Sequence, residues 1–208
     1  ITVDLGIKSC SEAKYSKDMG IDLIVTDHHL IGEELPKAFA ILHTGLIGSQ
    51  YPYKDLCGCG VAYKLISALA SEFTQINEHF LKWNLDLAAI STVADVVPLL
   101  GENRLIAKYG LIVLKKTKNI GLKALYEAAK IVPDKINTYT IGFQIAPRIN
   151  APGRIDHATK SFELLVTDDR EEAKSLAEWL NQKNDERQIE MKKIIESSVN
   201  QVEENHLL

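Results

Sequence analysis

Apolar and polar positions alternate along the chain in a way that changes character twice. Ile1-Thr2-Val3-Asp4 is a short β-branched run stopped by Gly6, and Ser11 through Met19 is polar with enough helix formers for one short helix. Ile21-Asp22-Leu23-Ile24-Val25-Thr26 is a nearly continuous apolar run, the pattern of a strand buried on both faces of a parallel sheet. Lys37 through Leu42 reads as a third strand after the break at Pro36. Strand, helix, strand at this spacing is a βαβ unit with a right-handed crossover.

From residue 58 onward the spacing turns helical. Val61, Leu65, Ile66 and Leu69 form a stripe on a helix over 60–73. Asp86 through Val97 is apolar almost all round and closed by Pro98, as expected of a helix inside a domain. Two further helices are expected over 103–115 and 121–131. The last segment differs: Asp168-x-x-Glu171 reads as a capping box, and no Pro or Gly interrupts the chain from there to about Glu204. Its apolar positions thin out after Asn181, where Asn184-Asp185-Glu186-Arg187 is polar all round. At 1.5 Å per residue such a helix is about 50 Å long, a strut rather than a packed element. The expected class is α/β: a parallel sheet of βαβ units flanked by helices, then a helical region and a long connecting helix.

Composition narrows the class without changing it. The chain has 208 residues, 46% hydrophobic and 25% charged, which suits a globular domain with a helical extension and excludes a disordered or collagen-like chain. No apolar run approaches the roughly 18 residues of a membrane span. A formal charge of −4 argues against a surface that coats a polyanion throughout, while leaving room for a local basic groove. Cys10, Cys57 and Cys59 lack the spacing of a structural zinc site and read as reduced thiols of a cytoplasmic protein. The first residue is Ile1 and no leader precedes it, so the sequence reads as part of a longer protein.

Chemistry concentrates in three places. Asp27-His28-His29 follows the buried strand directly, and Asp4 ends the first strand. Ligands of open α/β sheets bind at the carboxyl ends of strands, so these side chains are expected on one rim. Carboxylate oxygen with imidazole nitrogen suits Mn²⁺, Mg²⁺ or Zn²⁺. Asp95 stands as a charge inside the apolar helix, so it is expected to be paired, protonated or metal-bound; metal binding is favoured over a helix-end cap or a salt bridge, for example with Arg104. Pro147-Arg148-Ile149-Asn150-Ala151-Pro152-Gly153-Arg154 reads as a stiff loop whose guanidiniums suit a bidentate grip on phosphate. Two weaker features are Gly58-x-Gly60, read as a tight turn, and Tyr51-Pro52-Tyr53-Lys54, which offers rings for base stacking.

Taken together, these residues resemble the DHH phosphoesterase superfamily and, within it, the RecJ-type single-strand-specific exonucleases. The resemblance is carried by Val3-Asp4-x-Gly6, Val25-Thr26-Asp27-His28-His29, Tyr51-Pro52-Tyr53-Lys54 with Gly58-x-Gly60-Val61, Thr92-Val93-Ala94-Asp95-Val96-Val97-Pro98-Leu99, Gly101-Glu102-Asn103-Arg104, the arginine segment, and Asn184-x-Glu186-Arg187-Gln188. It implies a hydrolase with two divalent ions, Mn²⁺ or Mg²⁺, that removes nucleotides stepwise from the 5′ end of single-stranded DNA. It implies Asp4, His28 and Asp95 as metal ligands, Asp27 as the residue that orients its neighbours, and His29 toward the scissile phosphate. Arg148, Asn150, Gly153 and Arg154 would hold the strand. The implied organisation is a DHH domain over 1–166, lacking an upstream Asp-x-Asp, and an interdomain helix over 167–208 leading to a further C-terminal lobe. A cytoplasmic setting in DNA repair or recombination, with replication or repair proteins as partners, belongs to the same expectation. Two other readings are a phosphodiesterase for short oligonucleotides or cyclic dinucleotides and an inactive scaffold. His43-Thr44, where the family usually carries Asn-Pro, and Pro152, where it usually carries Ala, depart from the pattern.

Overall fold

The computed structural model describes residues 1–155 and 158–204, with side chains of 154, 155 and 202–204 left aside. The chain divides into two compact units, Ile1–Lys116 and Thr117–Leu208.

The first unit is built on a three-stranded parallel sheet in the order β1-β2-β3: β1 (Thr2–Val3), β2 (Ile24–Thr26) and β3 (Ala40–Leu42). Val25 faces Thr2 on one side and Ile41 on the other. It is wholly buried, as its place in an apolar run requires. The strands are shorter than the runs that announced them. Ile21 is exposed and its N–H bonds back to Ser16, so the chain is still leaving helix α1 (Cys10–Asp18) there.

Four helices complete this unit: α2 (Gly58–Glu72), α3 (Glu78–Trp83), α4 (Leu85–Ala94) and α5 (Gly101–Leu114). Cys57 caps α2, its sulfur accepting from the Gly60 N–H at 3.3 Å. Gly58-x-Gly60 is therefore the first turn of a helix rather than a tight turn between elements. Helix α4 packs against α5, burying Ala88, Ala89 and Ile90 with Ile106 and Ala107. It stops at Ala94, three residues earlier than its apolar run, and Val96 is exposed. The cysteines are free, and burial pushes the Cys59 thiol up to about 12, which makes it unreactive.

The second unit is helical: α6 (Ile120–Ala128), a 3₁₀ turn at Pro133–Lys135, α7 (Thr138–Thr140) running into a π-helical stretch at Ile141–Ile145, then α8 (Ala146–Asn150), α9 (Pro152–Ile155), α10 (Thr159–Val166) and α11 (Arg170–Glu204). The arginine segment, expected as a stiff loop, is helical. Its prolines stand at the start of α8 and α9, where a missing N–H costs no helical hydrogen bond.

Helix α11 is the long helix the sequence announced, but Asp169 rather than Asp168 caps it. Asp169 Oδ1 accepts from the N–H groups of Glu171 and Glu172 at 2.8 and 3.0 Å. Its first half buries Ala173, Ala177 and Leu180 within the unit, and the seam runs on to Asn184. The 184–187 run is thus not solvated all round: Asn184 is fully buried and accepts from Arg187 Nη2 at 3.0 Å. Farther along, Ile189, Ile194, Ile195 and Val199 are exposed.

Candidate metal centre

The site begins with the ladder of the sheet. After β1 the Asp4 N–H donates to Thr26 O at 2.9 Å, and after β2 the Asp27 N–H donates to Leu42 O at 3.2 Å. Both residues are thereby held at the carboxyl ends of adjacent parallel strands. Asp4 itself has φ +64°, a left-handed turn that aspartate tolerates better than most residues.

Asp27 organises the loop that follows. Its carboxylate is buried and accepts from Ile7 N–H at 2.9 Å, His28 N–H at 2.7 Å, His29 N–H at 3.2 Å and the His29 ring Nδ1 at 2.7 Å. Burial works against its ionisation, but the four hydrogen bonds outweigh burial and hold the carboxyl down to about 2. The same bond to Asp27 raises the His29 imidazole above its ordinary value. A depressed carboxyl stabilises the fold above its unfolded value of 3.8, and that contribution is lost as pH falls toward 2. The shift corresponds to about 2 kcal/mol. Urea unfolding at pH 5 and pH 3 should show close to half of this loss, about 1 kcal/mol, and Asp27→Asn should flatten the difference. The raised His29 contributes in the opposite sense, fully below its ordinary value of 6.5 and fading as pH rises through the raised one.

His28 supplies the sharpest observation. Its Nε2 lies 3.1 Å from Asp4 Oδ1 and 3.3 Å from Asp95 Oδ2, yet it is buried with hydrogen-bond geometry to neither. Partial burial raises the Asp4 carboxyl, with the adjoining imidazoles pulling it back down and Asp95 and Asp27 adding to the rise. Two carboxylates and a bare ring nitrogen that converge without bonding to one another form a donor set for a divalent cation. Ligand atoms of Asp4, His28 and His29 also lie within 4.8 Å of one another.

Asp95 joins this cluster by a different route from the one its sequence context announced. It is not buried inside an apolar helix: it is the residue at which α4 ends, with its side chain 39% exposed. Its partner is His28 rather than Arg104. The next residue, Val96, has φ +57°. A β-branched residue in the left-handed region is strained by about 1–3 kcal/mol, a cost that persists where the surroundings impose it.

Two contributors carried no signal of this role in the sequence. A Cβ on Gly58 would lie 2.0 Å from Asp4 Oδ1, so the first turn of α2 can pass the carboxylate only as glycine. His43, which the sequence offered only as a departure from the family pattern, ties the end of β3 to the Asp-His-His loop. It accepts from the Gly45 N–H at Nδ1 (3.0 Å), which leaves Nε2–H to donate to the His29 carbonyl at 2.8 Å.

The proposed strand-binding residues lie in the second unit. Arg148 donates through Nε to Asn181 Oδ1 at 2.8 Å and through Nη1 to Gln144 O at 2.8 Å, which spends Nε and one of the two Nη1 protons within the second unit. Desolvation lowers its guanidinium from the usual value, with Asp185 opposing and Arg187 adding to the fall. Asn150 and Gly153 are exposed, and the Arg154 side chain, with His157 and His206, lies outside the described residues. Tyr51 and Tyr53 spend their hydroxyls on Glu102 and the Pro98 carbonyl, which ties both rings to the protein.

The sheet presents Asp-His-His and an aspartate at neighbouring strand ends, and comparison with known proteins shows what this arrangement is similar to. Residues 1–92 match the DHH family, N-terminal domain. The chain is similar to the single-stranded-DNA-specific exonuclease RecJ of Bacillus subtilis, 45% identical across the whole chain and over 25% of that protein. The RecJ of Thermus thermophilus is 37% identical over 90% of the chain and 27% of its own length. The crystal structure of Thermus thermophilus RecJ in complex with Mn²⁺ superposes with a TM-score of 0.84 at 35% identity, covering 94% of this chain and 29% of that one. A structure of exonuclease RecJ bound to manganese gives 0.83 at 34% identity, covering 96% and 50%. The chain thus spans about a quarter to a third of the length of the curated relatives it matches.

Proposed function

We propose that this chain carries part of the catalytic centre of a metal-dependent exonuclease that hydrolyses phosphodiester bonds from the 5′ end of single-stranded DNA. The observation that carries the reading is His28 Nε2, buried between the carboxylates of Asp4 and Asp95 and bonded to neither. In this reading Asp4, His28 and Asp95 hold divalent ions, Mn²⁺ or Mg²⁺, with Asp4 between two of them. When bound, such ions polarise phosphoryl oxygens and lower the pKa of a water molecule.

The chain's own residues do the rest. Asp27, ionised and fully engaged, fixes the His29 ring through Nδ1 and leaves Nε2 for a non-bridging oxygen or the departing 3′ oxygen. The raised His29 favours the imidazolium, which suits a group facing phosphate. Hydrolysis forms one bond from water oxygen to phosphorus and breaks the bond from phosphorus to the leaving oxygen. The outer N–H groups of Arg148 offer charge-assisted contact to the strand, supported by Asn150, Gly153 and Arg154.

The long α11 with exposed Ile189, Ile194, Ile195 and Val199 supports a connecting helix over 167–208 that leads from a DHH domain over 1–166 to a further lobe. A cytoplasmic place in DNA repair or recombination, with replication or repair proteins as partners, follows from the same reading. Among the described residues no helix is long and apolar enough to cross a membrane.

The test uses the intact protein with Mn²⁺. It should release mononucleotides from a long 5′-phosphorylated single strand and leave duplex DNA and short dinucleotides largely intact. Preference for a dinucleotide, or release from the 3′ end, would overturn the substrate assignment.

A further inference from the structure

Asp95 ends a helix, stands half in solvent, and is followed by a residue held in the left-handed region. A carboxylate in that position has little of its own to keep it in place. The backbone on the far side of Val96 is clamped instead. The Pro98 carbonyl accepts from Asn103 Nδ2 at 3.0 Å and from the Tyr53 hydroxyl at 3.1 Å. The second N–H of the Asn103 amide reaches the Asp55 carbonyl at 2.6 Å, which ties the turn to the segment that leads into α2.

Asn103 is wholly buried, and its Oδ1 has no hydrogen-bond partner. The amide therefore acts only as a donor, and both of its protons go to main-chain carbonyls. That accounts for a buried carboxamide where an aliphatic side chain would pack as well. The Tyr53 ring is seated on Gly101, whose φ is +46° and where a Cβ would come within 2.7 Å of the ring carbons. The tyrosine cannot sit there over any other residue.

We propose that Asn103 and Tyr53 are positioning residues that lock the strained turn after α4 and so hold the Asp95 carboxylate beside His28. This rests on the reading of Asp4, His28 and Asp95 as a metal centre. Neither residue touches the reacting atoms; both act through the Pro98 carbonyl, three residues from Asp95.

The experiment compares Asn103→Leu, Tyr53→Phe and Asp95→Ala in the intact protein. It measures Mn²⁺ affinity by titration, kcat and KM on single-stranded DNA, and thermal unfolding. Asn103→Leu should weaken Mn²⁺ binding by about 10- to 100-fold and lower kcat, with KM for DNA within about twofold. Tyr53→Phe, which keeps the ring on Gly101, should shift Mn²⁺ affinity in the same direction by a few-fold. Val96→Asn relieves the left-handed strain at an exposed position, and it should restore part of the affinity lost in Asn103→Leu. Unchanged Mn²⁺ affinity in Tyr53→Phe and in folded Asn103→Leu, beside a marked loss in Asp95→Ala, would overturn the positioning role and leave the metal centre standing. Unchanged affinity in Asp95→Ala would overturn the metal reading itself. Should Asn103→Leu fail to fold, Tyr53→Phe and the Val96→Asn, Tyr53→Phe pair decide the matter.

Discussion

Replacing His28 with alanine in the intact protein is expected to reduce hydrolysis of single-stranded DNA by at least about 10³-fold, with DNA affinity changed little. A lost ligand forfeits several kcal/mol of transition-state stabilisation, and each 1.36 kcal/mol is tenfold in rate. The fold should not suffer. His28 Nε2 makes no hydrogen bond that alanine would break, and the loop is anchored by Asp27 through Ile7 and His29 instead. Single-turnover kinetics and filter binding on the same preparation separate the two effects. Near-normal turnover in His28→Ala would rule out His28 as a ligand.

The second large effect is expected from a residue that carries no chemistry. Gly58→Ala adds one methyl group, placed 2.0 Å from Asp4 Oδ1, a distance no real pair of atoms keeps. Either the carboxylate swings away or α2 moves off β1. A misplacement of about 1 Å costs on the order of 10²-fold in rate, and the variant should lose turnover by at least that much. The thermal midpoint should also fall, because α2 packs on the sheet through its first turn. Gly142→Ala is the matched control: its Cβ would meet nothing within 4 Å, and activity should stay unchanged. Equal turnover in the two glycine variants would mean that Asp4 does not need its present position.

These two residues mark the difference between what was legible along the chain and what was not. The βαβ unit was legible because period and burial are local properties: Leu23-Ile24-Val25 is an unbroken apolar run, and its strand lies between two others. Asp4 and Asp27-His28-His29 followed, since strand ends in parallel sheets gather on one rim. Gly58 was legible only as a flexible residue. Its purpose depends on β1 passing beside the first turn of α2, a contact between residues more than fifty positions apart.

Asp95 shows the opposite failure. Its apolar neighbours singled it out on a burial that it does not have. Helix α4 ends at Ala94, so the charge is placed at a helix terminus and avoids the burial penalty that singled it out. The arginine segment misled through its prolines, which read as loop formers and instead start short helices. Arg148 consequently spends two of its donor groups inside the second unit. His43 gave no periodic or motif signal, because its value lies in a single bond to the His29 backbone.

The central claim is that Asp4, His28 and Asp95 form one metal centre. Crystals of the intact protein soaked in Mn²⁺, with data collected near the manganese edge, test it directly. An anomalous peak should appear within about 2.0–2.3 Å of His28 Nε2 and of carboxylate oxygens from Asp4 and Asp95. A peak bound elsewhere, or none at this site under saturating Mn²⁺, would contradict the account.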